Sequence, residues 1–317
     1  MVDAPTLRVV FFGTPSFAVP TLQALLASRH TVVAVVTQPD RPRGRGQKLT
    51  ASPVKDAARA AGLPVLQPES VKTAEFVGQL ADATPDVGVV AAYGQILTEK
   101  LLSTPRLGMI NVHASLLPRY RGAAPVHRAI IDGETTTGIT IMRMVRALDA
   151  GPMMAATRVP IGIDQTSVEL EESLAHLGAG LLVRALDDVA AGRGQEIPQE
   201  NAAATYAPRL TKDDGRVDWT QSALRVHNLI RGLHPWPHAV TFAGSDRLIL
   251  HRSRPSTGTS GKTPGTVLAA SGEALSIATG DGTLDLLEIQ VEGKRPMRVR
   301  EFLAGRPLAV GTLLHQT

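Results

Sequence analysis

The chain of 317 residues contains no cysteine. That excludes disulfides, thiolate nucleophiles and cysteine-ligated zinc, and it suits the reducing cytoplasm, which is the location expected. Aromatic residues make up 3% of the chain against a hydrophobic fraction of 43%. The core must therefore be built from Ala, Val, Leu and Ile. Long apolar runs are missing too: no stretch reaches the roughly 18 consecutive apolar residues a membrane span needs. Asp3 and Pro5 lead straight into a short apolar run, which is not the pattern of a signal peptide. No internal repeat or low-complexity tract is visible. The net charge of +4 is too small to indicate nucleic acid by itself. Its distribution along the chain says more.

At this length one large domain and one smaller one are expected. The first half alternates strand and helix patterns. Leu7–Phe12 is an apolar run ending at Gly13-Thr14-Pro15, Pro20–Ser28 reads as a short helix, and Val32–Thr37 is rich in β-branched residues. Pro53–Ala61 reads as a helix capped by Ser52 with Pro53 at its first position. Val87–Ala92 and Met109–His113 are further strands, Pro125–Ile131 a further helix, and Thr137–Met144 another strand. Short, continuously apolar strands between helices predict a parallel sheet covered on both faces, a doubly wound α/β domain. Ligands of such sheets bind beyond the carboxyl ends of the strands.

Leu170–Val189 carries a helical period and is expected to close the first domain, giving a domain over 1–189 and a linker over 190–208. From 209 to 317 the apolar runs are short: Ala239–Phe242, Leu248–His251, Thr266–Ala269, Leu275–Ala278 and Leu284–Gln290. Glycine and proline turns punctuate them, so a small β barrel or sandwich is expected.

Three constellations carry chemistry. In Gly108–Pro118, Asn111 and His113 stand two apart at the end of a strand, hence on one face of it. An Asn amide can donate to a carbonyl oxygen gaining charge, and a His can donate or carry a proton beside it. The same pattern also suits two satisfied polar groups ending a strand. Asp149, before Gly151-Pro152, reads alone as a turn aspartate, and read with His113 it could orient the imidazole and stabilise its cation. Third, Arg41, Arg43, Arg45 and Lys48 place four positive charges in a loop without an acid among them. Pro42, Gly44 and Gly46 should keep that loop exposed and out of regular structure, suited to a phosphate-bearing substrate or simply to water. The pair Gly44 and Gly46 is not a dinucleotide fingerprint.

Several stretches then resemble the methionyl-tRNA formyltransferases, a branch of the folate-dependent formyltransferases. They are Phe12–Pro15, Thr37–Leu49, Val90–Gly94, Ile110–Pro125 and Leu148–Gly151, with a further likeness through Thr205-Tyr206-Ala207, Asp218-Trp219 and Pro235-Trp236-Pro237. The run from Asn111 through Tyr120-Arg121-Gly122-Ala123-Ala124-Pro125 is the most specific. Two departures occur: a segment usually Met-Asp-x-Gly-Leu-Asp reads Met144-Val145-Arg146-Ala147-Leu148-Asp149, and the Gln usual before Arg128 is His127.

The resemblance implies a Rossmann-like catalytic domain followed by a small OB-like β barrel that helps to hold tRNA. It implies a catalytic trio of Asn111, His113 and Asp149, and a folate pocket lined by Ser115, Leu116, Leu117 and Pro118. It assigns Arg41, Arg43, Arg45 and Lys48 to contact with the tRNA acceptor end. The implied co-substrate is 10-formyltetrahydrofolate, the partner initiator methionyl-tRNA, and the protein a monomer requiring no metal. Acting on a small amine or a sugar nucleotide is the alternative within the superfamily. His234 and His238 in His-Pro-Trp-Pro-His are not expected to hold zinc, because the two prolines fix an extended backbone and no carboxylate or cysteine lies nearby in sequence.

Overall fold

A computed structural model describes residues 5–43, 46, 48–258 and 260–315, with Arg43 described by its backbone. Arg45, Gly44 and Gln47 lie outside the described residues. The chain forms two compact units. One takes the chain up to Gly122, then Gly138–Val159 and Glu171–Tyr206; the other takes Ala123–Thr137, Pro160–Leu170 and the chain from Ala207 onward.

The first unit is organised by a seven-stranded sheet. Its strands are β1 (Arg8–Gly13), β2 (Thr31–Val36), β3 (Val65–Leu66), β4 (Val87–Ala91), β5 (Met109–His113), β6 (Thr136–Arg143) and β7 (Met153–Pro160), in the order β7-β6-β5-β4-β1-β2-β3. Pairing is parallel from β3 to β5 and antiparallel between β5 and β6. The order 3-2-1-4-5 of the parallel part is that of a doubly wound, Rossmann-like sheet, and it reverses direction between β1 and β4. Continuous burial matches the continuous apolar runs. Val9–Gly13 and all of Val87–Ala91 are buried, as strands covered on both faces must be.

The helices are α1 (Val19–Ala27), α2 (Pro53–Ala60), α3 (Ala74–Asp82), α4 (Glu99–Leu102), α5 (Pro125–Ile131), α6 (Ser167–Ala190), α7 (Ala223–Gly232) and α8 (Val299–Gly305). Ser52 caps α2 by accepting from the Lys55 amide at 3.0 Å, with Pro53 at the first helical position. Phe76, Val77 and Leu80 of α3 and Leu101 of α4 pack with Val10, Phe12, Ala34 and Met109 on one face of the sheet. On the other face, α6 approaches β5 and β6 at Gly178, where a Cβ would stand 2.9 Å from Val112 Cγ1. Asn111 and His113 alternate with Val112 and so share the Met109 face.

Most of the stretch 190–208, expected as a linker, is bonded into the first unit, which keeps the chain as far as Tyr206. Ile197 and Met153 exchange backbone hydrogen bonds at 2.8 Å, and Gln199 is buried. Among the described residues, no helix is long and apolar enough to cross a membrane.

In the second unit the strands are β8 (Ala239–Ala243), β9 (Asp246–Ser256), β10 (Val267–Ser271), β11 (Ala274–Ala278), β12 (Thr283–Val291) and β13 (Leu314–His315), in the order β10-β11-β12-β9-β8-β13. Neighbours along that order pair antiparallel. Thr266 bridges Leu313, so the two ends of the order meet and the sheet curls on itself. Inside it lie Trp219, Val226, Leu248, Leu250, Leu286 and Phe302. Trp219 donates its indole N–H to Thr241 Oγ1 at 3.0 Å, which satisfies the polar end of the largest core side chain.

Helix α5 belongs to this unit although it lies early in the chain. Gly232 of α7 lets it come close: a Cβ there would stand 2.7 Å from Ile131 Cγ1 and 3.1 Å from Ile130 Cγ2. A fragment ending at Ala190 therefore loses the partner of α5 and uncovers Val126 and Ile130, both buried in the full chain. Such a fragment is expected to self-associate in size-exclusion chromatography and to unfold below the full chain's Tm; a monomeric fragment of equal Tm would contradict this.

Candidate functional site

The parallel strands deliver their following loops to one edge of the first unit. Thr14, after β1, donates its hydroxyl to the Tyr93 carbonyl at 2.8 Å, and Gln38, after β2, donates its amide to the same oxygen at 3.4 Å. Three loops thus meet beside the point where strand order reverses. Tyr93 packs edge-on against Phe12 at 5.4 Å, and burial raises its phenol well above the usual range. Its hydroxyl has no hydrogen-bond partner among the described residues.

Strand β5 supplies the next loop. His113 is 5% exposed. Its Nε2 lies 3.0 Å from the Tyr120 carbonyl and must donate to it, which leaves Nδ1 facing Asp149 Oδ2 at 3.8 Å. With the neutral ring's proton on Nε2, a lone pair points toward the carboxylate; protonating Nδ1 places a cation there instead. Asn111 is partly exposed, and its side-chain amide makes no hydrogen bond among the described residues. The structure thus brings His113 and Asp149 together across 36 positions of sequence and sets Asn111 on the same strand face.

Asp149 is held from behind. Its Oδ2 accepts from the Gly122 amide at 2.8 Å, and its own carbonyl accepts from Gln199 Nε2 at 2.8 Å. The same Nε2 reaches the Gly151 carbonyl at 2.7 Å. Gln199 Oε1 in turn accepts from Arg121 Nε and Nη2 at 3.0 and 2.8 Å, and Asn201 Oδ1 takes a further 2.8 Å bond from Nη2. Arg121 is 4% exposed, and these amide oxygens are what meet its buried guanidinium. Gly151 permits the turn: a Cβ there would stand 1.8 Å from the Arg143 carbonyl. Ala92, Tyr120 and Asp149 all take left-handed backbone conformations, a concentration of strain that typifies functional sites.

Of the segment expected to line a folate pocket, Ser115 and Leu117 are buried and Leu116 and Pro118 are partly exposed. Ser115 donates its hydroxyl to the Arg119 carbonyl at 2.7 Å. Thr140 stitches the segment to β6, donating to the Ser115 carbonyl at 2.7 Å and accepting from the Leu117 amide at 3.1 Å. Leu116 closes over Gly138, where a Cβ would stand 2.6 Å from its Cδ2.

The basic loop after β2 differs from expectation. Arg41–Arg43 and Lys48–Thr50 pair antiparallel as a short hairpin, with Pro42 opposite Leu49. A two-stranded ribbon consists only of edges, so a proline lacking its N–H can face away from the partner strand. Arg41 and Lys48 are exposed, while Arg45 and the Arg43 side chain lie outside the described residues. The hairpin's base is anchored by Asp40, whose carboxylate meets Lys55 Nζ at 2.5 Å and Gln67 Nε2 at 2.8 Å. Those bonds, Lys55 first, hold its carboxyl below the ordinary range.

Arg121 and Gln199 were not legible as site residues. Arg121 falls inside the most specific motif, but Gln199 stands in a stretch whose Gly, Pro and Ala content signals only a connection. Replacing Gln199 with Leu strips two carbonyls of a donor and a buried guanidinium of one of its two acceptor side chains. The expected loss is at least about 2 kcal/mol of stability, read from urea unfolding; a loss under a quarter of that would show the network to be dispensable.

Comparison with known proteins matches the geometry to a lineage. The family described as formyl transferase matches residues 7–186, and the formyl transferase C-terminal domain matches residues 209–307. The chain is 48% identical to a methionyl-tRNA formyltransferase of Trichlorobacter lovleyi, over 97% of this chain and 96% of that one. It is 46% identical to the protein of that name from Moorella thermoacetica, over 97% and 99%. Among solved structures, an N-formyltransferase from Helicobacter canadensis, in complex with folinic acid and dTDP-3-aminofucose, superposes with a TM-score of 0.67 at 17% identity, covering 89% of this chain and 99% of that one. HypX from Aquifex aeolicus with tetrahydrofolic acid superposes with a TM-score of 0.64 at 18% identity, over 94% of this chain and 47% of that one. With both of its parts matched and its relatives alike along nearly their whole length, the chain belongs to the formyl transferase family.

Proposed function

We propose that this chain moves the formyl group of 10-formyltetrahydrofolate onto the α-amino group of methionyl-tRNA, giving formylmethionyl-tRNA for translation initiation and releasing tetrahydrofolate. The observation that carries the reading is His113 facing Asp149 beside an unengaged Asn111, in a chain alike from end to end to relatives bearing that name. It acts in the cytoplasm as a monomer, with formyl transfer assigned to 1–189 and tRNA holding to 209–317. The curled sheet is read as an OB-like barrel, a reading supported by the Thr266–Leu313 bridge.

The chemistry follows from the groups present. An α-amino group titrates near 8, so a useful fraction is already neutral and needs no strong base. Its nitrogen attacks the formyl carbon, and the carbonyl π electrons move onto oxygen. Asn111 donates to that oxyanion. As the tetrahedral species collapses, the bond from carbon to the folate nitrogen breaks; the leaving nitrogen gains a proton and the former amine loses one. Nε2 of His113 is engaged by Tyr120, so Nδ1 is the nitrogen assigned to carry the proton, with Asp149 stabilising the imidazolium and accepting the amine proton, directly or through water. Ser115, Leu116, Leu117 and Pro118 line the folate side, their backbone fixed by Thr140.

The other reading, a small amine or sugar nucleotide as acceptor, is favoured only by the likeness to N-formyltransferases of sugars at 17% to 21% identity, a likeness of fold. Against it stand Arg41 and Lys48 on the exposed hairpin, and Lys294, Arg295, Arg298 and Arg300, all exposed on the second unit. Turnover with 10-formyltetrahydrofolate and methionyl-tRNA, compared with a panel of small amines, separates the two; faster formylation of a sugar amine would replace the tRNA reading.

Asn111→Ala and His113→Ala are expected to lower kcat at least roughly 100-fold with tRNA binding nearly unchanged. Asp149→Asn should also be severe, since an amide cannot accept the proton. Single-turnover formylation with either Ala variant at near wild-type rate would remove these residues from the mechanism.

We assign Arg41, Arg43, Arg45 and Lys48 to the tRNA acceptor end. Removing one cation that neutralises a phosphate should lessen the salt slope of binding by about one unit. Arg45→Ala is expected to reduce kcat/KM for methionyl-tRNA and Arg45→Lys to restore part of it, because lysine returns the charge without the planar fork. Equal reductions on initiator and elongator tRNA would make Arg45 a phosphate ligand, and no reduction would leave the hairpin without a role in tRNA binding.

A further inference from the structure

The second unit carries a cluster that formyl transfer does not use. His234 and His238 flank the Pro-Trp-Pro segment that follows α7, and the fold brings His251 of β9 against them. One ring nitrogen from each lies within 4.8 Å of the others. The ring centroids of His238 and His251 are 4.7 Å apart, and those of His234 and His238 5.5 Å. The rings cross at 60° or more, so they converge without stacking.

The protein alone leaves this cluster incomplete. His234 Nδ1 and His238 Nδ1 are buried and lack a hydrogen-bond partner among the described residues, which buried polar atoms normally avoid. His251, by contrast, has its Nε2 fixed by Gln290 Oε1 at 2.9 Å, leaving Nδ1 for another partner. That division, one nitrogen oriented by an amide oxygen and the other free, is how metal-binding histidines are usually held. The backbone is committed too. His238 takes a left-handed conformation, its amide bonds the Leu233 carbonyl at 3.0 Å, and Gly215 packs so closely that a Cβ would stand 2.3 Å from the His238 carbonyl.

We propose that His234, His238 and His251 bind one divalent transition-metal ion, with zinc the best fit to three imidazoles and a solvent molecule as fourth ligand. Zn–N bonds of about 2.0–2.1 Å in a tetrahedron set ligand nitrogens roughly 3.3 Å apart, which small side-chain rotations reach from the spacing present. The charged surroundings admit a cation. Arg252 faces the cluster but lies between two acids, Glu169 at 3.8 Å and Glu288 at 3.9 Å, and Arg247 is paired with Glu292 at 2.5 Å. The ion clips the loop after α7 to β9 and so fixes the segment presenting Trp236, which is half exposed. From sequence the first two histidines lacked a third ligand; the fold supplies it.

The test uses the full chain without a histidine tag, stripped of metal by chelator and dialysed. Cobalt(II) titration is expected to give one equivalent with the intense visible absorption of a four-coordinate site, bleached by zinc, and zinc at a hundredfold excess over its Kd should shift the folding equilibrium about a hundredfold. His234→Ala and His251→Gln should each weaken binding at least roughly tenfold. His238→Asn, which tolerates the left-handed backbone, should do the same. His176→Ala, on the exposed side of α6, should bind as wild type. Metal-free circular dichroism and Tm check that each variant folds. Absence of the cobalt band, or equal binding by wild type and the metal-free-folded His238→Asn or His251→Gln, would overturn the proposal.

Discussion

The buried guanidinium of Arg121 is the constraint on which the candidate site depends. An unpaired charge in the interior is among the costliest groups a fold can contain, so its acceptors must be in place whenever the first unit is folded. Those acceptors are the side-chain oxygens of Gln199 and Asn201, which draw the chain after α6 back against the sheet. Gln199 then directs its amide nitrogen to the carbonyls of Asp149 and Gly151. The turn carrying the carboxylate is thereby locked at both ends, and Gly122, next to Arg121, donates to the carboxylate itself. One buried cation thus fixes the approach of Asp149 to His113 without touching either side chain.

This arrangement makes use of the sheet's geometry. Parallel strands present all their carboxyl ends to one edge, and reversal of order between β1 and β4 opens a crevice there. The loops after β1, β2 and β4 converge on the Tyr93 carbonyl. The loop after β5 is fastened to β6 through Thr140, so the segment assigned to the folate is held by backbone and hydroxyl bonds more than by its own side chains. On that side Asn111 is partly exposed without a side-chain hydrogen bond among the described residues, and His113 Nδ1 is turned to Asp149.

The second unit solves a different problem. With few aromatic residues, it closes its core by curling one antiparallel sheet around Trp219 and a set of aliphatic side chains, and it recruits α5 and the segment before α6 to cover α7. His227 illustrates the joinery. Its two nitrogens reach Ser253 Oγ at 3.0 Å and the Ile163 carbonyl at 2.9 Å, tying the strand to that segment, and burial foremost lowers its pKa. The exposed cations of the same unit are left to its surface.

What the sequence determined by itself was local. Continuous apolar runs, the Ser52-Pro53 helix start and glycine-punctuated short runs identify a doubly wound sheet followed by short antiparallel strands, because periodicity and capping act over a few residues. The neighbourly pair Asn111 and His113 was legible for the same reason: alternate strand residues share a face. The likeness of the segment from Asn111 to Pro125 named the family. What only the tertiary structure decided was every association between distant positions. That Asp149 faces His113, that Gln199 in an apparent linker holds Asp149, that α5 folds with α7, and that His251 joins His234 and His238 all follow from which surfaces bury one another. The hairpin at Arg41–Arg43 and Lys48–Thr50 belongs with these, since local chemistry argued for irregular chain there and pairing overrode it. Side-chain chemistry is written residue by residue, whereas burial and approach are properties of the whole packed chain.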